Sequence, residues 1–242
     1  SMSPDYRNHD GSFKSGFDIT WDGTRFWAAW RGIPEDRARV EFARISRDGD
    51  LVGSIGAVPN SSVRTEPVQV AWSPQTKRLG LAWSVEAVAG ENNNRGTGAF
   101  TTIAEDGTLS AEPLIVMVSP HMPNNYGYSE PSFTDMTWHD GVWVIADKAA
   151  YNNGAAGFFG PYGWWAVTET GELSRRWAGD CYQLGICNGG ASVLLPIGPQ
   201  VVGLQGTALY KVTPDDTSGA ITKVALAPQA AAGDCTLGFD GE

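Results

Sequence analysis

Residues 17–30 read Phe17-Asp18-Ile19-Thr20-Trp21-Asp22-Gly23-Thr24-Arg25-Phe26-Trp27-Ala28-Ala29-Trp30. The first five alternate between apolar and polar, the period of a half-buried β-strand. Asp22-Gly23 then marks a tight turn, because both residue types tolerate positive φ. Phe26 to Trp30 is apolar at nearly every position, which predicts a strand covered on both faces. The same phrase returns at Val68-Gln69-Val70-Ala71-Trp72, followed by Ser73-Pro74 and Leu79-Gly80-Leu81-Ala82-Trp83. It returns at Thr134-Asp135-Met136-Thr137-Trp138, followed by Asp140-Gly141 and Trp143-Val144-Ile145-Ala146. A weaker copy has Val193-Leu194-Leu195, a turn over 196–200, and Val201-Val202-Gly203-Leu204. A fifth begins at Cys235 and stops at once.

Each full copy continues through a longer loop into a third strand: Val40 to Ile45, Ala99 to Ile103, Trp164 to Val167, Leu209 to Val212. Second turns follow at Asp48-Gly49, Asp106-Gly107, Thr170-Gly171 and Asp215-Asp216, and fourth strands are expected from Leu51, Leu109, Leu173 and Ile221. The fourth strands are more polar, as outer edges should be. One four-stranded sheet cannot hide both faces, whereas a ring of such sheets can. The expected fold is therefore all-β, a propeller of four-stranded blades, with four blades favoured and five possible in principle. The blades fall near 17–66, 67–130, 131–189 and 190–233 of a single domain, 17–242. Residues 1–16 are an N-terminal segment or part of a closing blade, to which 234–242 would add a strand.

The phrase Trp-Asp-Gly-x-x-Phe-x-Ala-x-Trp at 21–30, with Ile-x-x-Asp-Gly-x-Leu at 45–51, resembles the β-propeller repeats of secreted and cell-surface bacterial proteins. The resemblance covers residues 17–227 and implies the fold more than a function, since propellers host many activities. The chain departs from WD40 repeats, lacking their Gly-His and Trp-Asp pairing, and from sialidase-type Asp boxes, lacking Ser-x-Asp-x-Gly-x-Thr-Trp.

Charged residues are only 18% of the chain and the net charge is -10. That balance argues against nucleic acid and anionic lipid as partners, which need Lys and Arg clusters. No such cluster is visible along the sequence, and no apolar run approaches a membrane span. Ser1-Met2-Ser3 looks like an appended start, so a native leader could have been cut away. Richness in Trp, Asn and Gly with few Lys leans towards an exported bacterial protein: extracellular, periplasmic or at the cell surface. Cys181 and Cys187 could close a small disulfide, leaving Cys235 over, or all three could be reduced thiols.

Strands that run up and down in turn place the first-to-second and third-to-fourth connections at one end, and these are all short. The other end carries the long loops 84–98, 117–132, 148–163 and 178–190. Long loops on a rigid scaffold concentrate binding residues. These hold Asn124, Asn125, Tyr126, Tyr151, Asn152 and Tyr162. Amides donate and accept hydrogen bonds while aromatic faces give apolar area, the combination a sugar or a polar peptide needs. Asn and Gly are equally ordinary loop formers.

Three residues before each Trp anchor stand Asp18, Gln69 and Asp135, polar positions within apolar strands that require partners. They would open at the long-loop end. Three readings apply: an ion site near Asp18, Gln69 and Asp135, with Ca²⁺ the candidate; a carboxylate pair for glycoside hydrolysis; or acceptors for backbone N–H groups of the neighbouring blade, the reading favoured. Five-bladed glycosidases place their acids near this position, an analogy of family. His9, His121 and His139 show no metal-site spacing, and nucleophile-elbow and phosphate-loop motifs are absent.

The expected function is a non-catalytic recognition module without a cofactor, binding a glycan or a protein surface on the long-loop face. The alternatives are a glycoside hydrolase-like enzyme using Asp18 and Asp135, or a structural repeat domain of a larger surface protein. The hydrolase requires the two carboxyl groups to face an open channel. Capping by backbone amides together with burial under side chains would defeat it.

Overall fold

The computed structural model describes residues 17–32, 39–61, 63, 68–85, 97–110, 113–118, 133–148, 162–179, 193–205, 208–214 and 221–226. Every regular element among them is a β-strand. The first sheet comprises β1 (Phe17–Trp21), β2 (Phe26–Gly32), β3 (Arg39–Ile45) and β4 (Gly56–Ala57). The second comprises β5 (Gln69–Ser73), β6 (Arg78–Val85), β7 (Thr97–Ala104) and β8 (Leu114–Val118). The third holds β9 (Phe133–His139), β10 (Val142–Lys148), β11 (Tyr162–Thr168) and β12 (Leu173–Gly179). The fourth holds β13 (Val193–Ile197), β14 (Gln200–Gln205), β15 (Ala208–Val212) and β16 (Thr222–Leu226). In each sheet the strands follow chain order and pair antiparallel.

The anticipated turns that fall within the described residues are present, and Asp215-Asp216 lies outside them. Asp140 and Gly141 both have positive φ, 43° and 89°, as the two central residues of a type I′ hairpin turn require. Asp22 organises the first hairpin more elaborately. Its Oδ1 accepts N–H bonds from Thr24 and Arg25, and its Oδ2 accepts the Trp27 indole N–H at 2.8 Å.

The fourth strands differ from expectation in two sheets. Leu51 and Leu109 each make a single bridge, to Ile45 and Ile103, and the ladder then breaks before resuming at Gly56 and Leu114. In the first sheet the chain bends at Gly53, with φ +81° and the Arg44 guanidinium 3.0 Å from where a Cβ would sit. In the second, Pro113 precedes the strand and has no N–H for the ladder.

First strands neighbour one another in the order β1, β5, β9, β13. Three apolar clusters fill the seams between successive sheets. This explains second strands that are apolar throughout: both faces of β6 are buried at every residue between its ends. A Trp occupies each seam. Trp27 stacks on Trp72 at 6.0 Å between the first and second sheets. The Trp143 indole lies against Gly80 between the second and third, and Trp164 against Gly203 between the third and fourth, so close that a Cβ at either glycine would overlap the ring. The outer flank of the first sheet is different: Phe17, Ile19 and Trp21 of β1 are 58%, 48% and 39% exposed. The closing-blade segments 1–16 and 234–242, and all three Cys, lie outside the described residues.

Candidate active site at the first-strand ring

Asp18, Gln69 and Asp135 occupy the starts of β1, β5 and β9, each near the end of its strand away from the tight turns. Their side chains point the same way round the seams. Asp18 Oδ2 accepts the Val70 N–H of β5 at 2.8 Å. Gln69 Nε2 donates to the Phe133 carbonyl of β9 at 3.3 Å. Asp135 Oδ2 accepts the Leu194 N–H of β13. The other carboxylate oxygens accept the following residue's N–H, Ile19 for Asp18 and Met136 for Asp135, each at 2.8 Å. Bonding to the neighbouring sheet's backbone is thus the geometry of both acids, and a side chain bridges each of the three seams.

Each carboxyl group is capped on both oxygens by backbone amides and sits in a largely desolvated setting. Both residues keep part of their surface open to solvent. A carboxylate oxygen has two lone pairs, so one N–H bond on each leaves accepting capacity. Their electrostatics are unusual. Loss of solvation pushes the Asp18 carboxyl above its ordinary value, against the opposing N–H bonds from Val70 and Ile19. Asp135 is pushed up to about 7, first by desolvation and then by the Asp18 charge, against the N–H bonds from Leu194 and Met136. The two groups therefore lie within electrostatic reach of each other, although they belong to the first and third sheets. At neutral pH a substantial fraction of Asp135 is the neutral acid.

A raised folded-state value has a defined consequence for stability. Between about pH 4 and 7 the folded chain keeps a proton on Asp135 that the unfolded chain has lost, so stability falls as pH rises through that window. Asp135→Asn is expected to flatten that part of the profile in urea denaturation. An identical pH slope in wild type and variant would show that Asp135 titrates normally.

The candidate Ca²⁺ site is less well supplied. Ca²⁺ takes six to eight oxygen ligands as a rule. The ring offers two carboxylates already accepting N–H bonds and one amide, and among the described residues no three His, Cys, Asp or Glu side chains gather as a metal site. Of the loop residues, Asn124, Asn125, Tyr126, Tyr151 and Asn152 lie outside the described residues, and Tyr162 is described only by its backbone, which opens β11 opposite Gly179 and Lys148. The acceptor role favoured for these acids from the sequence is the one the structure shows; which N–H groups they reach, those of Val70 and Leu194, the sequence does not reveal.

No family model matches the chain, and no curated protein matches it. Solved structures do. A thermostable family-43 glycoside hydrolase aligns with a TM-score of 0.53 at 12% identity, over 90% of this chain and 77% of that one. Sucrose-6-phosphate hydrolase from Lactobacillus gasseri aligns at 0.48 and 7% identity, over 83% of this chain and 44% of that one. A Bombyx mori family GH32 β-fructofuranosidase aligns at 0.41 and 12%, over 85% of this chain and 47% of that one. This chain thus spans less than half the length of the last two.

The fold is a β-propeller, shared with the family-43 hydrolase. The expectation of a non-catalytic recognition module on the long-loop face is corrected here. The structure that shares this fold at a TM-score of 0.53 is by name a glycoside hydrolase, and the alternative reading replaces that expectation.

Proposed function

We propose that the chain is a glycoside hydrolase-like enzyme whose reacting groups are Asp18 and Asp135. The observation that carries this reading is the Asp135 carboxyl group, held near pKa 7 with a second carboxyl group in electrostatic reach. Carboxyl pairs whose environments separate their titrations are how glycosidases divide acid from base work. Asp135 is the proton donor to the leaving glycosidic oxygen. Asp18 is the carboxylate that activates water or attacks the anomeric carbon. The propeller fold shared with a family-43 glycoside hydrolase supports the reaction class. The substrate is a glycan met outside the cell or at its surface.

The test is hydrolysis of a panel of aryl pyranosides, aryl furanosides and natural oligosaccharides by the wild-type protein and by the double variant Asp18→Asn, Asp135→Asn. Turnover by the wild type alone supports the assignment. No turnover of any glycoside by the folded wild type, or equal turnover by the double variant, overturns it.

A further inference from the structure

At the opposite end of the sheets from Asp18 and Asp135, the tight turns of the first and second sheets flank a shallow, open groove. Its cations come from four places in the fold. Arg25 ends the β1–β2 turn, Arg44 lies on β3, Lys77 sits in the β5–β6 turn with φ +52°, and Arg78 opens β6. Along the sequence no basic cluster is visible, because no two of these except Lys77 and Arg78 are neighbours in the chain. The seam gathers them.

The groove's own acids are largely occupied. Glu105 is shared between Arg25 at 3.5 Å and Lys77 at 3.9 Å. Asp106 Oδ1 accepts both the N–H and the hydroxyl of Thr108, and its charge is in attraction with the Arg44 guanidinium. Asp22, beside the groove, holds Arg25 at 3.1 Å and caps its own turn. Arg44 is fixed with its guanidinium 5.8 Å above the Trp27 ring and reaches the Glu105 carbonyl only weakly, at 3.4 Å. Arg78 is half-buried and has no anionic partner among the described residues. The planar fork of donors on a guanidinium matches an oxyanion.

We infer that this groove binds the oxyanion group of a small ligand, a carboxylate, sulfate or phosphate, with Arg78, Lys77 and Arg44 as its contacts. The open groove leaves room beside the ion for the rest of a small molecule that carries one. The inference is independent of the hydrolase reading, since the two sites lie at opposite ends of the strands.

Isothermal titration with sodium sulfate, sodium phosphate and sodium glucuronate tests it, each against sodium chloride at matched ionic strength. The first two probe inorganic or esterified oxyanions, and the third a sugar carboxylate. Saturable binding of at least one is expected, weakened roughly ten-fold or more by Arg78→Ala and measurably by Lys77→Ala. Lys77 is 71% exposed, so its replacement leaves the fold intact even where Arg78→Ala does not. Absence of saturable binding by all three, an equal response to chloride, or binding unchanged in both variants overturns the inference.

Discussion

Asp135→Asn is expected to lower glycoside turnover by about 10²- to 10⁴-fold, the range that a positioned general acid contributes. The substitution removes one proton and little else. Asn keeps the size of Asp and one oxygen able to accept the Leu194 N–H, so the third and fourth sheets stay joined across their seam. It has no acidic proton to give a leaving group. The loss should depend on the substrate: an aryl glycoside with an acidic phenol needs little protonation, so its turnover falls far less than that of an alkyl glycoside or oligosaccharide. A parallel signature is expected in pH. The wild-type rate should decline as pH rises through about 7, where Asp135 gives up its proton, and the variant should lack that limb. A uniform loss across leaving groups, with the alkaline limb unchanged, would move the acid role to another residue.

Trp143→Ala is expected to destabilise the fold by about 3–5 kcal/mol, the usual range for a buried aromatic truncated to Ala. Trp143 is fully buried. It packs edge-on to Trp138 at 4.5 Å, tilted against Phe100 at 5.3 Å, and against the bare backbone of Gly80. Its indole N–H donates to the Ala71 carbonyl of the preceding sheet at 3.0 Å, so truncation loses that bond as well as opening a cavity. Trp143→Phe fills most of the space but lacks the N–H, and should cost markedly less. Guanidinium unfolding monitored by circular dichroism measures both. A loss below about 1 kcal/mol for the Ala variant would mean that the seam collapses around the missing ring.

How much of this was readable beforehand follows from where the information resides. The first three strands of each sheet announce themselves, because burial on both faces demands unbroken apolar runs such as Leu79 to Trp83, and Asp-Gly pairs punctuate them. The fourth strands were less legible. Leu51 and Leu109 look like strand beginnings but pair only once, and the later pairing at Gly56 and Leu114 depends on a bend at Gly53 and on Pro113, which periodicity does not weigh. Asp18 and Asp135 were visible as polar residues in apolar strands. The raised titration of Asp135 was not, since it arises from desolvation and from Asp18, more than a hundred positions away in the chain. The cationic groove was equally hidden: Arg25 and Arg78 meet only because two turns from different sheets lie side by side.

The seam-bridging side chains have a bearing on how such a protein can change. Asp18 reaches Val70, Gln69 reaches Phe133 and Asp135 reaches Leu194, each gripping the backbone of the next sheet's first strand. The spacing between the two carboxyl groups is therefore fixed by two successive angular steps of the scaffold and owes nothing to the peripheral connections. Insertions and deletions in those connections can accumulate and remodel what is recognised, while the distance across which a bond would be cut stays constant.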